Sequence, residues 1–331
     1  MRKLLVMLCL LLLACPALAE YETVTEGQIS YPVFGTAADA AVSDALGLSS
    51  LLARQGAGQR ISVTFTAYEN EERLSILFSV SGQLDAFTRG QKYVTVNVNR
   101  ETGVPLTLAD YVTDVPACVE RMEAQLAETN GGQQSGYLEC CEFLPLPRDC
   151  FFADDTGLTF CYDRNRVLLL SGTCGSYRFY THEITGEKPE IDRDSFLRLT
   201  DSLPGFDLRL GDDIGNMTVL CDPDYTYTCA YHYPEEPRLD GLTPVTAQDN
   251  SVIIGLLARR GCLCGVCPGV TTREEALSAL GEGECAPVDG ETAWAYQLET
   301  GLSDTYAADG VNVTLFSDEN GVIYALLLGE L

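Results

Sequence analysis

The residues best equipped for chemistry are a tight run of cysteines, Cys262-Leu263-Cys264-Gly265-Val266-Cys267, with Cys285 further on. Three thiolates at that spacing plus a fourth can hold zinc, and the two-residue gap from Cys264 to Cys267 matches that of dithiol redox pairs. A plainer reading is disulfides on a loop, and the chain's other features favour it, so no metal is expected. Histidine is scarce. Only His182 and His232 occur, which excludes a site built from three or more histidines. Neither sits in a nucleophile motif, no G-x-S-x-G elbow is present, and the glycine-rich stretch from Asn130 to Gly136 lacks the lysine of a phosphate cradle. Both histidines are expected to be structural, and no cofactor is expected. Asp154-Asp155 and Asp212-Asp213 have the composition of acid–base pairs, but 48 acidic residues place neighbours together by chance, and both pairs read as solvated turns. Asp222 and Asp224 offer calcium two oxygens of the roughly six to eight it takes. Tyr225, Tyr227, Tyr231 and Tyr233 alternate around Cys229. They read as one aromatic strand face that packs in a sheet, stacks on sugar rings or anchors a protein partner.

The address comes from the N-terminus. Arg2 and Lys3 precede an apolar run from Leu4 to Ala14, Pro16 breaks it, and Ala17-Leu18-Ala19 gives a cleavage site before Glu20. Residues 1–19 thus read as a secretory signal peptide, too short to span a membrane. Leu12-Leu13-Ala14-Cys15 also resembles a lipobox, which leaves a lipid anchor on Cys15 open. No later segment reaches the roughly 18 apolar residues a span needs. The chain is expected outside the cytoplasm, extracellular or at the cell surface. Its formal charge of −27 becomes −29 on loss of the leader, and such a surface repels phosphate backbones, so no nucleic-acid partner is expected.

Export favours disulfides. Six cysteines lie in the first half of the mature chain (Cys118, Cys140, Cys141, Cys150, Cys161 and Cys174) and six in the second (Cys221, Cys229, Cys262, Cys264, Cys267 and Cys285). Even counts predict about six bridges closed within each half. The hydrophobic content of 46% argues that these staple ordinary cores.

The elements around these residues make two α+β domains, each an antiparallel sheet with one or two packed helices: residues 20–203 and a smaller unit, 204–331. In the first, Thr23 to Phe34 is extended and Thr36 caps a helix carrying Ala38, Ala41, Ala45, Leu48 and Leu52. Ile61-Val63-Phe65, Leu74-Ile76-Phe78-Val80 and Val94-Val96-Val98 alternate as strands with one wet face. A helix from Ala117 to about Glu128 is expected to cover the dry face. A hairpin around Asp154–Gly157, a strand from Tyr177 to Ile184 and a short helix from Asp194 to Leu203 complete the domain. The second domain reads as strands at Phe206–Leu210 and Ser251–Leu257, then a helix capped by Thr271 or Thr272. Three strands follow, Trp294–Leu298, Val311–Phe316 and Val322–Leu328, the last two joined at Asp318-Glu319-Asn320-Gly321.

The order helix, meander, VTVNVNRETGVPLTLADYV, helix, then FFADDTGLTFCYD and YRFYTHEI resembles the extracellular module of RsiV-type anti-sigma factors and PdaC-type peptidoglycan deacetylases, over residues 25–185. Thr102-Gly103, Leu106, Leu108, Tyr111 and the Phe151-Phe152…Gly157-Leu158 hairpin carry most of the resemblance. In RsiV the module binds lysozyme, so the resemblance implies a lysozyme-like partner. Where that family shows a Gly-Gly-Ala-His-Gly-like motif this chain has Ser81-Gly82-Gln83-Leu84-Asp85-Ala86, and its Ala-Pro-Tyr-Ala-like loop is replaced by Val167-Leu168-Leu169-Leu170-Ser171-Gly172. Leu168 and Leu169 stand in the implied binding loop. The smaller domain is similar, through PGVTTREEALSALGEG and the last hairpin, to small helix-plus-sheet domains of exported proteins. The function expected is therefore a non-catalytic binding protein recognising a cationic protein such as lysozyme, or a cell-wall component such as peptidoglycan. The alternative is a carboxylate-dependent secreted hydrolase of the cell wall, which needs a cleft holding two acids.

Overall fold

The structure, a computed structural model, describes residues 21–83, 89–131, 145–162, 175–202, 208–217, 219, 222–226, 228–234, 239, 241–248 and 251–330. Residues 1–20, which include Cys15 and the segment read as a signal peptide, lie outside these residues, as do Leu168, Leu169, Tyr227, Cys140, Cys141, Cys174 and Cys221. Among the described residues no helix is long and apolar enough to cross a membrane. The protein is α+β, and its chain divides into two compact units after Ser176.

The segment read as one extended stretch is a hairpin, β1 (Glu22–Glu26) and β2 (Ile29–Val33), turned at Gly27 with φ of 67°. Thr36, expected as the cap, stands one residue before the N-cap Ala37, its hydroxyl accepting from the Ala38 amide at 3.2 Å and donating to the Arg100 carbonyl at 2.8 Å. The one expected helix is two, α1 (Ala38–Leu46) and α2 (Leu48–Gly56), because Gly47 at φ 65° ends the first and opens the second. β3 (Ile61–Glu69), β4 (Arg73–Gln83) and β5 (Arg89–Asn99) form the expected antiparallel meander. β2 joins β3 in parallel through Ile29 and Val63, giving the order β1-β2-β3-β4-β5.

That parallel pairing decides what covers the sheet. A parallel connection must cross over one face, and α1 and α2 are that crossover. Val42, Leu46 and Leu51 pack there against Val63, Ile76 and Phe78. The helix expected in that place, α3 (Val115–Gly131), buries Val119, Met122 and Leu126 as read but belongs to no part of this cluster.

The second face is not wet. β6 (Phe151–Ala153) and β7 (Gly157–Tyr162) form the expected hairpin and lie over it, with Phe152 and Cys161 against Leu77. The small polar residues that read as solvent-facing hold this layer on. Ser75, 1% exposed, accepts from the Ala153 amide at 2.8 Å and donates to Asn97 Oδ1 at 2.7 Å, while Asn97 Nδ2 donates to the Phe151 carbonyl at 2.6 Å. Buried polar groups persist where each finds a partner, as these do.

The division of the chain falls inside β8 (Gly175–Tyr180), earlier than the expected boundary near Leu203. The strand expected to reach Ile184 stops at Tyr180, whose amide donates to Glu183 Oε2 at 2.8 Å and so opens α4 (Thr181–Thr185). The expected helix Asp194–Leu203 is only α5 (Arg193–Phe196), capped by Asp192. Phe196 and Leu199 are buried with Leu256, Val313 and Leu326, which places this segment in the second unit.

Of the expected strand Phe206–Leu210, residues 206–207 are outside the described set, and Arg209 makes only an isolated bridge to Ser202. The unit's sheet is built from β9 (Asp224–Tyr225), β10 (Cys229–Tyr231), β11 (Leu242–Ala247) and β12 (Ile253–Ala258), followed by β13 (Glu284–Val288), β14 (Gly301–Ala307), β15 (Asn312–Ser317) and β16 (Ile323–Gly329). It is antiparallel throughout, in the order β13-β14-β15-β16-β12-β11-β10-β9. Both faces are covered, Leu256 pointing into one cluster and Leu257 into the other. Thr272 caps the helix α6 (Arg273–Leu280) in a capping box with Glu275. The hairpin after Phe316 forms as read, Asp318 Oδ1 accepting from the Asn320 and Val322 amides at 3.0 and 2.8 Å. Trp294–Leu298 is not a strand. Asp289 accepts from the Thr292 amide at 2.8 Å and starts a helix, α7 (Gly290–Tyr296), through the tryptophan.

Candidate functional site

Where the β6–β7 layer meets the meander, the first unit encloses a recess of about 180 Å³. Tyr68 stands next to the end of β3, Asn70 makes the turn into β4, Arg73 and Ser75 open that strand, and Ala153, Asp154 and Asp155 come from the hairpin. Tyr111 arrives by a longer route. Asn99 Oδ1 accepts from the amide and hydroxyl of Thr102, both at 2.9 Å, and turns the chain through Gly103 at φ 68°. Leu108 is then buried, and Thr107 with Asp110 caps a short 3₁₀ turn that delivers Tyr111.

The side chains fit one another closely. Arg73 lies over the Tyr111 ring at 5.1 Å, and that ring meets Phe151 edge-on at 5.4 Å. The Tyr111 hydroxyl donates to Asn97 Oδ1 at 3.3 Å. Burial pushes the Tyr111 phenol up to about 12, with Asp110 adding and Arg73 opposing. Tyr68 is also raised, by burial and then by the charges of Asp155 and Asp154. Both phenols therefore stay protonated through the physiological range and act as donors. Asp154 Oδ1 accepts three bonds from its own turn, from Thr156 N (2.9 Å), Thr156 Oγ1 (2.8 Å) and Gly157 N (3.0 Å). A guanidinium, two phenols and two carboxylates thus line one small concavity. That set hydrogen-bonds a polar group in both directions and gives it ring faces to lie on; neither phenol has been tuned toward neutral pH for proton transfer.

The aromatic face read from the tyrosines is not a face. Thr226 Oγ1 accepts from the Thr228 and Cys229 amides at 3.3 and 3.0 Å and reverses the chain, so Tyr225 and Tyr231 stand on neighbouring antiparallel strands. Tyr225 is 60% exposed, whereas Tyr231 is fully buried, its hydroxyl on the Tyr296 carbonyl. Tyr233 donates to Asp224 Oδ2 at 2.6 Å. That bond takes up one of the two carboxylates considered for calcium. His232, expected to be structural, is buried with Nε2 3.0 Å from Thr246 Oγ1.

Among the described residues one disulfide is present, Cys262–Cys267, where about six had been expected along the chain. Cys118 and Cys229 are buried as small apolar residues, Cys264 is half-buried, and Cys285 is exposed 3.4 Å from Arg273 Nη2; none of the four is bridged. Cys150 and Cys161 belong to the packing around Leu77 and Phe152. His182, expected on a strand, is on α4 with Nδ1 3.1 Å from Cys262 Sγ.

Asp154-Asp155 forms the solvated turn expected, with Asp155 exposed; what the sequence does not show is that this turn rims a recess with Tyr68 and Arg73. The missing signal was that β4 carries polar residues opposite a hairpin beginning Phe-Phe, a pairing that needs the second layer to be recognised. No protein-family model and no curated protein matches the chain.

Proposed function

We propose that the chain is an exported, non-catalytic binding protein that seats a polar group of its partner in the Arg73–Tyr111 recess. The observation carrying this reading is the lining itself, donors and acceptors converging on a volume that fits a side chain or part of a sugar. The partner that best fits the charge is a cationic protein, lysozyme being the one the sequence resemblance implies. A chain of formal charge −27 attracts such a protein at long range, and the exposed Asp155 on the rim offers it a carboxylate. The hydrolase alternative draws less support from this recess, since Asp154 is engaged by its own turn and the acids share the lining with Arg73 and protonated phenols.

The test is a pull-down of oxidised mature protein on immobilised lysozyme and, in parallel, on insoluble peptidoglycan, at low and physiological salt. Arg73→Gln and Asp155→Asn are compared with the parent. Retention on lysozyme at physiological salt that falls at least about tenfold in either variant is expected, the scale of a lost charged hydrogen bond. Retention that salt abolishes equally in all three proteins would reduce the interaction to unspecific charge attraction and sink the reading. Binding to peptidoglycan alone would move the partner to the wall.

A further inference from the structure

The one bridge among the described residues is built unlike a staple. It closes the short loop Cys262 to Cys267, and a short loop constrains the unfolded chain least. The loop holds its shape without it. Leu263 and Val266 exchange two backbone hydrogen bonds, each 2.9 Å, around a turn with Cys264 at φ 48° and Gly265 at φ 85°. Val266 is fully buried, the Cys264 carbonyl accepts from the Asp192 amide at 2.9 Å, and the Cys267 amide donates to Thr271 Oγ1 at 2.9 Å. Gly265 lies so close to Glu190 that a Cβ would come within 2.0 Å of its carbonyl oxygen. The frame around the two sulfurs therefore stays put whether or not they are bonded.

The two sulfurs differ in access: Cys262 is exposed and Cys267 fully buried. A nucleophile from solvent reaches only Cys262, which fixes Cys267 as the leaving group. His182 stands beside both, Nδ1 at 3.1 Å from Cys262 Sγ, with the ring nitrogen and the two sulfurs all within 4.8 Å of one another. Its ring is stacked on Tyr180, centroids 6.4 Å apart, and the guanidinium of Arg260 lies 5.7 Å over that tyrosine. Arg260 is anchored on the Arg178 carbonyl at 2.8 Å and on the Glu183 carboxylate at 3.1 Å. An imidazole, an adjacent cation and an exposed sulfur on a rigid frame are the parts of a thiol–disulfide exchange site.

We infer that Cys262–Cys267 is an exchangeable disulfide that oxidises thiols of a partner, with His182 as its proton carrier. A partner thiol, R–SH, gives its proton to His182 as its sulfur attacks Cys262 Sγ. The R–S–Cys262 bond forms, the Cys262–Cys267 bond breaks, and the electron pair goes to Cys267 Sγ, which takes the proton back from His182. A second partner thiol then attacks the R sulfur of the mixed disulfide. It releases R–S–S–R and leaves Cys262 as a thiol by the same proton route. Two thiols are oxidised to one disulfide, and the protein's bridge takes the two electrons and two protons. Burial lowers the His182 pKa, so at neutral pH the ring is a free base ready to accept the first proton. Burial and Asp192 raise the Cys264 thiol, which keeps it out of the exchange.

Reduced glutathione is the probe, applied to the oxidised mature protein, with reactions stopped by N-ethylmaleimide and adducts mapped by mass spectrometry. The expected course is a transient glutathione adduct on Cys262, none on Cys267, then both thiols labelled. His182→Ala is expected to slow the second-order step at pH 7 by about tenfold or more, the low end for general acid–base catalysis or below it, and added imidazole to restore part of the rate. An adduct on Cys267, or a bridge that opens only in denaturant, would overturn the inference. So would a folded His182→Ala protein that reacts at the parent rate without responding to imidazole. If that variant does not fold, Cys267→Ser decides: the pH profile of Cys262 alkylation should rise below that of N-acetylcysteine, and a profile at or above it refutes the role of His182.

Discussion

Asn97 is the residue on which both the second layer and the recess depend, and removing its amide puts a number on that dependence. In Asn97→Ala, Ser75 loses its acceptor, the Phe151 carbonyl loses a donor at 2.6 Å, and the Tyr111 hydroxyl loses its partner at 3.3 Å. Both residues border the recess, but Ser75 is 1% exposed and its short hydroxyl is shielded, whereas Tyr111 is only half-buried and can turn its hydroxyl to solvent. An unsatisfied buried group costs about 1–3 kcal/mol. Counting the Ser75 and Phe151 groups and discounting Tyr111 gives about 2–6 kcal/mol. A chain of two units need not unfold in one transition, so the assay must report on this layer alone. Amide exchange of Ala153, which donates to Ser75 Oγ at 2.8 Å, does so. At about 1.4 kcal/mol per tenfold change, its protection should fall by about thirty-fold at the low end and about ten-thousand-fold at the high end. Amides of β15 and β16 in the second unit should be unaffected. A loss under about fivefold at Ala153 would mean the polar bonds do not hold the layer, and that Leu77, Phe152 and Cys161 suffice.

Two further outcomes follow from the same geometry. Gly103→Ala places a Cβ at φ 68° and 2.6 Å from the Ala37 carbonyl, so it should cost about 2–3 kcal/mol and lower the melting temperature, with the loss of Tyr111 positioning visible as weaker partner binding. Glu275 is held down to about 2 by the Lys188 ammonium and by the Thr272 donors. A depressed carboxyl contributes above its unfolded pKa, so this stabilisation should be whole above about pH 4.5 and vanish as the pH falls toward 2. Melting curves of Glu275→Gln should flatten across that window while matching the parent's slope at higher pH; an unchanged acid slope would refute the assignment.

How much was legible depended on how local the cause was. β3, β4 and β5 show their period in Ile61–Phe65, Leu74–Val80 and Val94–Val98, and the Thr272–Glu275 box and the Asp318–Gly321 turn act within a few residues. These formed as read. Trp294–Leu298 misled because aromatic and apolar residues favour strands, while the Asp289 cap just ahead of it committed the chain to a helix. The tyrosine run misled because Thr226 reverses the chain inside what looks like one strand. The recess could not be read at all. Tyr68, Arg73, Tyr111 and Asp155 meet only because Ser75 and Asn97 turn a seemingly wet face into an interface, a fact of tertiary pairing with no period of its own. His182 and Cys262, eighty residues apart, are hidden for the same reason.

The eight-stranded sheet carries a consequence for how the protein behaves when crowded. A sheet that wide ordinarily ends in rows of unpaired amides and carbonyls, on which a second chain can lay down a strand. Here one outermost strand, β9, is two residues long. The other, β13, contains Pro287, which has no amide to donate, and Glu284 at its start, which brings a charge to any approaching backbone. Growth by strand addition is thus stopped at both margins. Such margins let a broad, strongly apolar sheet remain a single molecule where an unguarded one would seed a fibre.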